Sequence, residues 1–173
     1  MGVRAHSLVT SIFPNKRHGL VIEPMTSADL PEVMEIERLA FESPWSQGLF
    51  LRELKLPFAR LMVVRAVNGR RALAGYVCWW TVGDEVHIHN LAVHPDQRRS
   101  GVGRFMVQHV LDDAIGRSVQ SVSLEVRHDN ESARQLYRGF GFSDRGVRKH
   151  YYGRGEDAII MTKDLVATPA SES

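Results

Sequence analysis

Residues His94 to Arg104 read HPDQRRSGVGR, between the apolar run HNLAV and the amphipathic segment VGRFMVQHVLDDA. This places two spaced glycines and three arginines where a strand passes into a helix. Gly101 and Gly103 have no Cβ, so a ligand can approach the main chain closely. The helix that starts here has unpaired N–H groups and a partial positive charge at its N-terminus. Arg98, Arg99 and Arg104 add donors suited to phosphate oxygens. Together they form a cradle for a pyrophosphate. A plain helix start with solvated arginines gives the same spacing, and spacing alone does not separate the two. The stretch is not a Walker A loop, and a dinucleotide fingerprint would need glycine where Met106 stands.

The pattern of elements extends outward from this turn. Upstream, Leu20 to Ile22 reads as a strand. Thr26 and Asp29 start a helix carrying Leu30, Val33, Met34, Glu37 and Leu39 and ending near Phe41. Ser46 caps a second, short helix through Leu54, before Pro57. RLMVVRAVNGRRALAGYVCWWTV holds Asn68-Gly69 between apolar runs, which is a hairpin signal. A GDE turn and the strand VHIHNLAV complete an antiparallel meander. Downstream, Val102, Phe105, Met106 and Val110 share one helix face. VQSVSLEV alternates, with Val122, Leu124 and Val126 on one side and Ser121, Ser123 and Glu125 on the other. Strand, helix and strand of this length predict a right-handed parallel crossover. A short helix from Asn130 to Tyr137 and two strands around the Gly153–Gly155 turn follow. The fold class is α/β (α+β): a mixed, mostly antiparallel sheet of about seven strands with helices on both faces.

The 173 residues fit one domain. Hydrophobic residues make up 43% and charged residues 24%, enough to bury a core. Lys+Arg 22 against Asp+Glu 20 leaves +2, too balanced to argue for nucleic-acid recognition despite a pI near 8.9. The single Cys78 lies in an apolar run and reads as a buried thiol, with no Cys/His cluster for a metal. No apolar stretch is long enough for a membrane helix, and a cytoplasmic location is the default. Residues 1–18 carry Arg4, His6, Lys16, Arg17 and His18 and no acid, and read as a disordered basic extension. The domain is expected over 19–165 and a flexible tail over 166–173. A monomer or weak dimer is expected.

NLAVHPDQRRSGVGR resembles the acetyl-CoA motif of the GNAT N-acetyltransferases, whose core is [QR]-x-x-G-x-[GA]. It continues through LEVRHDNESARQLYRGFGF and RKHYYGRGEDAIIM. These later blocks, with SPWS near the first helix, resemble the RimI branch, which acetylates protein N-termini. The eukaryotic and archaeal N-terminal acetyltransferase subunits share much of the YY…GEDA block. The resemblance spans about Gly19 to Lys163. It implies a GNAT fold whose strand before the cradle splays from its parallel neighbour and offers its main chain to the pantetheine arm of acetyl-CoA, the cosubstrate. Leu91, Ala92 and Val93 would then lie at the thioester end, and Arg98, Arg99, Ser100, Gly101, Val102, Gly103 and Arg104 at the pyrophosphate. Asn130 matches an asparagine that contacts the CoA arm.

The resemblance also implies chemistry. Glu125, in the LEVR block, is the candidate base. An ordinary glutamate is a weak base, so it would need partial burial or a water relay. Tyr137 is the candidate acid for the leaving thiolate, although by residue type alone it is a core aromatic beside Ala133, Leu136 and Phe140. Tyr151, Tyr152, Glu156 and Asp157 match a block near the peptide groove, and Pro44 and Trp45 match a groove-side element. His87 and His89 alternate on one strand face, too few ligands for a metal site. The implied partner is a protein N-terminus, by resemblance that of a ribosomal protein beginning with Ala. The alternatives are a GNAT enzyme for a lysine or small amine and a noncatalytic acetyl-CoA-binding module.

Overall fold

The computed structural model describes residues 19–67 and 71–165. The strands are β1 (Leu20–Pro24), β2 (Ala59–Ala66), β3 (Leu73–Val82), β4 (Glu85–Val93), β5 (Ser121–Arg127), β6 (Ser143–Gly153) and β7 (Glu156–Asp164). The helices are α1 (Leu30–Ala40), α2 (Gln47–Glu53), α3 (Val102–Gly116) and α4 (Glu131–Gly139). The strands form one sheet in the order β1-β2-β3-β4-β5-β7-β6, antiparallel except for β4 and β5. The expected hairpin turn at Asn68-Gly69, the basic extension and the tail lie outside the described residues, although β2 and β3 pair as that hairpin requires.

Local chemistry accounts for the elements. Thr26 and Asp29 form a reciprocal capping box, followed by a 3-10 turn and then α1 with Pro31 in its first turn. The buried face of α1 is Leu30, Val33, Met34, Ile36 and Glu37, whereas Leu39 points to solvent, so the expected stripe shifts by one residue at its end. Ser46 accepts a hydrogen bond from Leu49 N (3.1 Å) and caps α2, which ends at Glu53, ahead of Pro57. Asn130 caps α4 by accepting from Ala133 N (3.1 Å).

Two cores lie on opposite faces of the sheet. Val86, Ile88, Met106, Val110, Val122, Leu124, Tyr137 and Met161 pack on the α3/α4 side. Leu30, Val33, Phe50, Val63, Tyr76, Cys78 and Ala92 pack on the α1/α2 side. β3 serves both cores through alternate residues, which is why its sequence is apolar almost throughout. Burial pushes the Cys78 thiol up, as expected for an inert buried cysteine.

Candidate active site

The site grows out of a defect in the sheet. β4 and β5 pair from Glu85–Ser121 to Ile88–Leu124 and then part. Beyond that point β4 stays bonded to β3, and β5 stays bonded to β7. The β3–β4 register passes from Trp79–Ile88 to Cys78–Asn90, so His89 is the extra residue of a bulge. The bulge turns β4 away from β5, and the β5-facing main chain of Leu91, Ala92 and Val93 is left unpaired by the sheet. Leu91 and Val93 lean on the α3/α4 core, and Ala92 is buried on the opposite side.

The glycine turn follows at once. His94 N bonds Ala74 O (2.8 Å) and closes the strand. Arg99 (φ 62°) and Gly101 (φ 81°) both adopt left-handed backbone, and Gly101 is the residue before α3. No side chain caps α3, which leaves its first N–H groups available to an anion. The two glycines turn out to serve different ends. Gly101 is required by its backbone conformation, whereas a Cβ on Gly103 would lie 3.2 Å from the Leu136 side chain of α4. A third glycine, Gly75 on β3, was not singled out by the motif. A Cβ there would lie 2.7 Å from Ala92 O and 3.1 Å from both Val102 and Met106, so Gly75 lets α3 seat directly behind β4.

Arg98, Arg99 and Arg104 are exposed, and among the described residues none is in an ion pair. Arg104 stacks over Phe140 (5.1 Å). An open strand edge, an uncapped helix start and three unpaired guanidiniums fit acetyl-CoA: the edge matches an amide-bearing arm and the turn matches a pyrophosphate. Asn130 stands at the head of α4, its side-chain oxygen committed to the helix cap and its amide nitrogen without a protein partner among the described residues.

Glu125 lies just past the point where the strands part. His87 Nε2 is 2.5 Å from Glu125 Oε2, and Arg148 Nη2 is 3.4 Å from Oε1. The side chain of Glu125 is 7% exposed. Burial alone would raise its carboxyl. The hydrogen bond and charge of His87, with the charge of Arg148, outweigh burial and hold it below its ordinary value. The expected burial is therefore present, but it does not make Glu125 a stronger base. Tyr137, on α4, is buried in the core on the face of the sheet opposite Glu125. It packs against Phe142 (5.7 Å between centroids), and burial pushes its phenol up. It is both the core aromatic and a group kept protonated at neutral pH. Its hydroxyl makes no hydrogen bond among the described residues. Tyr152 stands near Tyr137, and its own hydroxyl donates to the Glu125 carbonyl (3.3 Å).

The groove-side residues divide into two kinds. Pro44 and Tyr151 are exposed, Trp45 is half-buried against Phe50 (5.3 Å), and Tyr152 is 37% exposed. Glu156 and Asp157, expected to meet the substrate, also have partners within the protein. Arg127 holds Glu156 (3.0 Å), and Asp157 accepts from His150 N (2.9 Å). The sequence reading missed Glu37 as a polar hub. This buried carboxylate accepts from Trp45 N (2.7 Å), Asn90 Nδ2 (3.1 Å) and the Tyr76 hydroxyl, tying the SPWS loop to β3 and to the β4 bulge. An acid at helical spacing among apolar residues was the available signal. Among the described residues no His, Cys, Asp or Glu cluster could hold a metal, and no helix is long and apolar enough to cross a membrane.

The GNAT acetyltransferase family model matches residues 30–142. The chain belongs to the GNAT acetyltransferase family. A putative ribosomal protein bS18-alanine N-acetyltransferase of Bacillus subtilis is 37% identical over 142 residues, covering 81% of this chain and 92% of that protein. The ribosomal protein bS18-alanine N-acetyltransferase of Escherichia coli is 35% identical over 144 residues, covering 81% and 94%. The crystal structure of a ribosomal-protein-alanine N-acetyltransferase from Escherichia coli superposes with a TM-score of 0.76 at 30% identity, covering 89% of this chain and 99% of that one. The fold is that of the GNAT acetyltransferases, and the parallel pair and its splay are as that family implies.

Proposed function

We propose that this chain transfers the acetyl group of acetyl-CoA to the N-terminal α-amine of a protein, and that its substrate is a ribosomal protein beginning with alanine. The observation that carries this reading is the gap between β4 and β5, which opens just before Glu125, with Tyr137 in the core on the opposite face of the sheet. Leu91 to Val93 would hold the arm of acetyl-CoA, Arg98 to Arg104 its pyrophosphate, and the Asn130 amide the arm near α4. Acetyl-CoA, when bound, supplies an acetyl thioester. Glu125 belongs to the base that removes the proton of the incoming ammonium, acting directly or through a water or a side chain it holds. Tyr137 donates its proton to the departing sulfur. Pro44, Trp45, Tyr151 and Tyr152 line the amine side, while Glu156 and Asp157 keep the β6–β7 hairpin in shape.

An α-amine suits this site better than a lysine. An α-ammonium has a pKa about 2.5 below that of a lysine ammonium, which makes its neutral form cheaper by about 3–4 kcal/mol at neutral pH. The relatives named for acetylation of a ribosomal protein's N-terminal alanine support the finer assignment, and a cytoplasmic location accompanies it.

Thiol release from acetyl-CoA tests this against peptides with free N-termini, including an Ala-Arg start, alongside blocked peptides and an internal-lysine control. Turnover confined to free N-termini is expected, with the Ala start favoured. Turnover confined to lysine or small amines would move the chain to another branch of the family, and tight binding without turnover would make it a noncatalytic module. Tyr137→Phe should lower kcat by about 10²-fold with the circular dichroism spectrum unchanged. Unchanged turnover would remove Tyr137 as the acid.

A further inference from the structure

The base side of the gap holds more than one carboxylate. His87 is the β4 residue beside the last paired positions, and Glu125 lies two residues past its partner Ser123 on the same face of the sheet. Their side chains meet at 2.5 Å. The His87 side chain is 31% exposed while that of Glu125 is 7% exposed, so the imidazole faces the open side and the carboxylate lies behind it. Among the described residues, the second ring nitrogen of His87, Nδ1, has no hydrogen-bond partner.

We propose that His87 and Glu125 act as a single base, in which Nδ1 of the imidazole receives the substrate ammonium proton while the Glu125 carboxylate holds Nε2–H. This rests on the amine-acetylation reading above and names the atom that does its first step. The chemistry favours the pair over the carboxylate alone. Moving a proton from an α-ammonium to an ordinary carboxylate is uphill by more than three powers of ten, whereas an imidazole as acceptor leaves about one and a half. His87 and Arg148 hold Glu125 still more acidic. A carboxylate of that kind is a poor acceptor and a good partner for an imidazolium.

The surroundings leave His87 as the imidazole for the task. His89, 4.3 Å away ring to ring, is pushed down to about 4 by burial and by His87, and so stays neutral. Its Nε2 is buried without a partner among the described residues. Trp80 of β3 is the register neighbour of His87 and is anchored by Glu53 of α2 (2.7 Å). From β6, Arg148 pairs with Glu125, and Tyr151 and Tyr152 stand beside that carboxylate. The charged and titratable groups at the dyad are thus Glu125, His89, Arg148, Tyr151 and Tyr152, with Glu53 behind Trp80.

The proton balance closes. One ammonium N–H bond breaks and the Nδ1–H bond forms, leaving a neutral amine. The amine nitrogen bonds the acetyl carbon as the C–S bond breaks, and the sulfur carries off the Tyr137 proton. The surplus proton on the new amide nitrogen restores that phenol, and the dyad gives its proton to water.

The test is His87→Gln, which can still hydrogen-bond Glu125 but cannot take a proton. At pH 7, kcat/KM for a free-N-terminus peptide should fall about 10²-fold, with the KM for acetyl-CoA unchanged. The defect should shrink toward none as the pH rises past the pKa of the amine, because the amine then arrives neutral. A defect of equal size at pH 7 and pH 9.5, or a rate within twofold of wild type at pH 7, would overturn the dyad. Two readouts need no turnover. Nitrogen NMR of the wild type should find neutral His87 protonated on Nε2, and side-chain carboxyl NMR should find the Glu125 midpoint raised in His87→Gln. An Nδ1–H tautomer or an unmoved Glu125 would also overturn it. Should the wild type acetylate only side-chain amines, the N-terminal reading fails, and the same variant comparison on that amine decides the dyad.

Discussion

Two glutamates, Glu37 on α1 and Glu125 on β5, are enclosed beside the same gap, and their environments drive them in opposite directions. Glu37 is 1% exposed and is held by neutral donors: the Trp45 N–H, the Asn90 amide and the Tyr76 hydroxyl. Burial outweighs those bonds and raises its carboxyl above the ordinary range. Glu125 is held by His87 and Arg148, and their influence outweighs burial and lowers it. The difference shows that burial alone does not assign a carboxylate its work. Neutral donors make a joint, which here fixes the loop of Trp45 to the bulge of β4. Ionisable partners keep a charge in place, which here lies beside the point where β4 and β5 part.

The largest effect should come from breaking the joint. Glu37→Ala leaves three donors without their acceptor and should cost about 3–5 kcal/mol in urea unfolding. Glu37→Gln keeps an acceptor for Trp45 N but turns an amide toward Asn90, and should cost about 1 kcal/mol. A Glu37→Ala cost below about 1 kcal/mol would mean that the joint is ornamental. Glu125→Gln should act chiefly on turnover, lowering kcat/KM about 10²-fold or more while costing less in unfolding than Glu37→Ala. A Glu125→Gln enzyme with full turnover would leave the gap without its base.

The pH dependence of stability separates the two glutamates by sign. A raised folded-state pKa gives stability that is full below the unfolded value and is lost as pH rises through the folded value. Glu37→Gln should therefore gain on the wild type as pH rises above about 4.5. A lowered folded-state pKa gives stability present above the unfolded value and lost as pH falls through the folded one. Glu125→Gln should be less stable than wild type above about 4.5, with the gap closing as the pH falls below that range. Unfolding curves collected across the pH range check both. Parallel behaviour of the two variants would dissolve the contrast.

How much of this was legible in the sequence follows from the same distinction. The order of elements was legible, because caps and alternation are local: Thr26 with Asp29, Ser46, and Val122, Leu124 and Val126 each act within a few residues. The glycine turn ahead of α3 was legible because its glycines and arginines are contiguous. The Glu37 hub joins residues 8, 39 and 53 positions apart in the chain, and no local pattern shows that a lone acid on a helix face will find three donors. The His87–Glu125 contact spans 38 positions and depends on the bulge at His89, which exists only once β3 and β4 are in register. The reason for Gly75 was hidden for the same cause, since the carbonyl it must clear lies on another strand.

A third carboxylate on the amine side sets the lower end of the comparison. Glu156 resembles Glu125 in having a cationic partner, Arg127 at 3.0 Å, but its side chain is 37% exposed. Water screens a pair in that position, and it has little to give to stability or to the charge of the groove. Arg127 also keeps a second hold, since it binds Asp129 (3.2 Å) and lies over the Tyr152 ring (5.6 Å). Glu156→Gln should therefore change the peptide KM by less than about twofold and leave kcat unchanged. A large rise in KM confined to peptides with a positively charged N-terminus would show that Glu156 leaves Arg127 and binds the substrate itself. In that case exposure, not enclosure, would mark the carboxylate that recognises the amine, and Glu125 would serve only the proton step through His87.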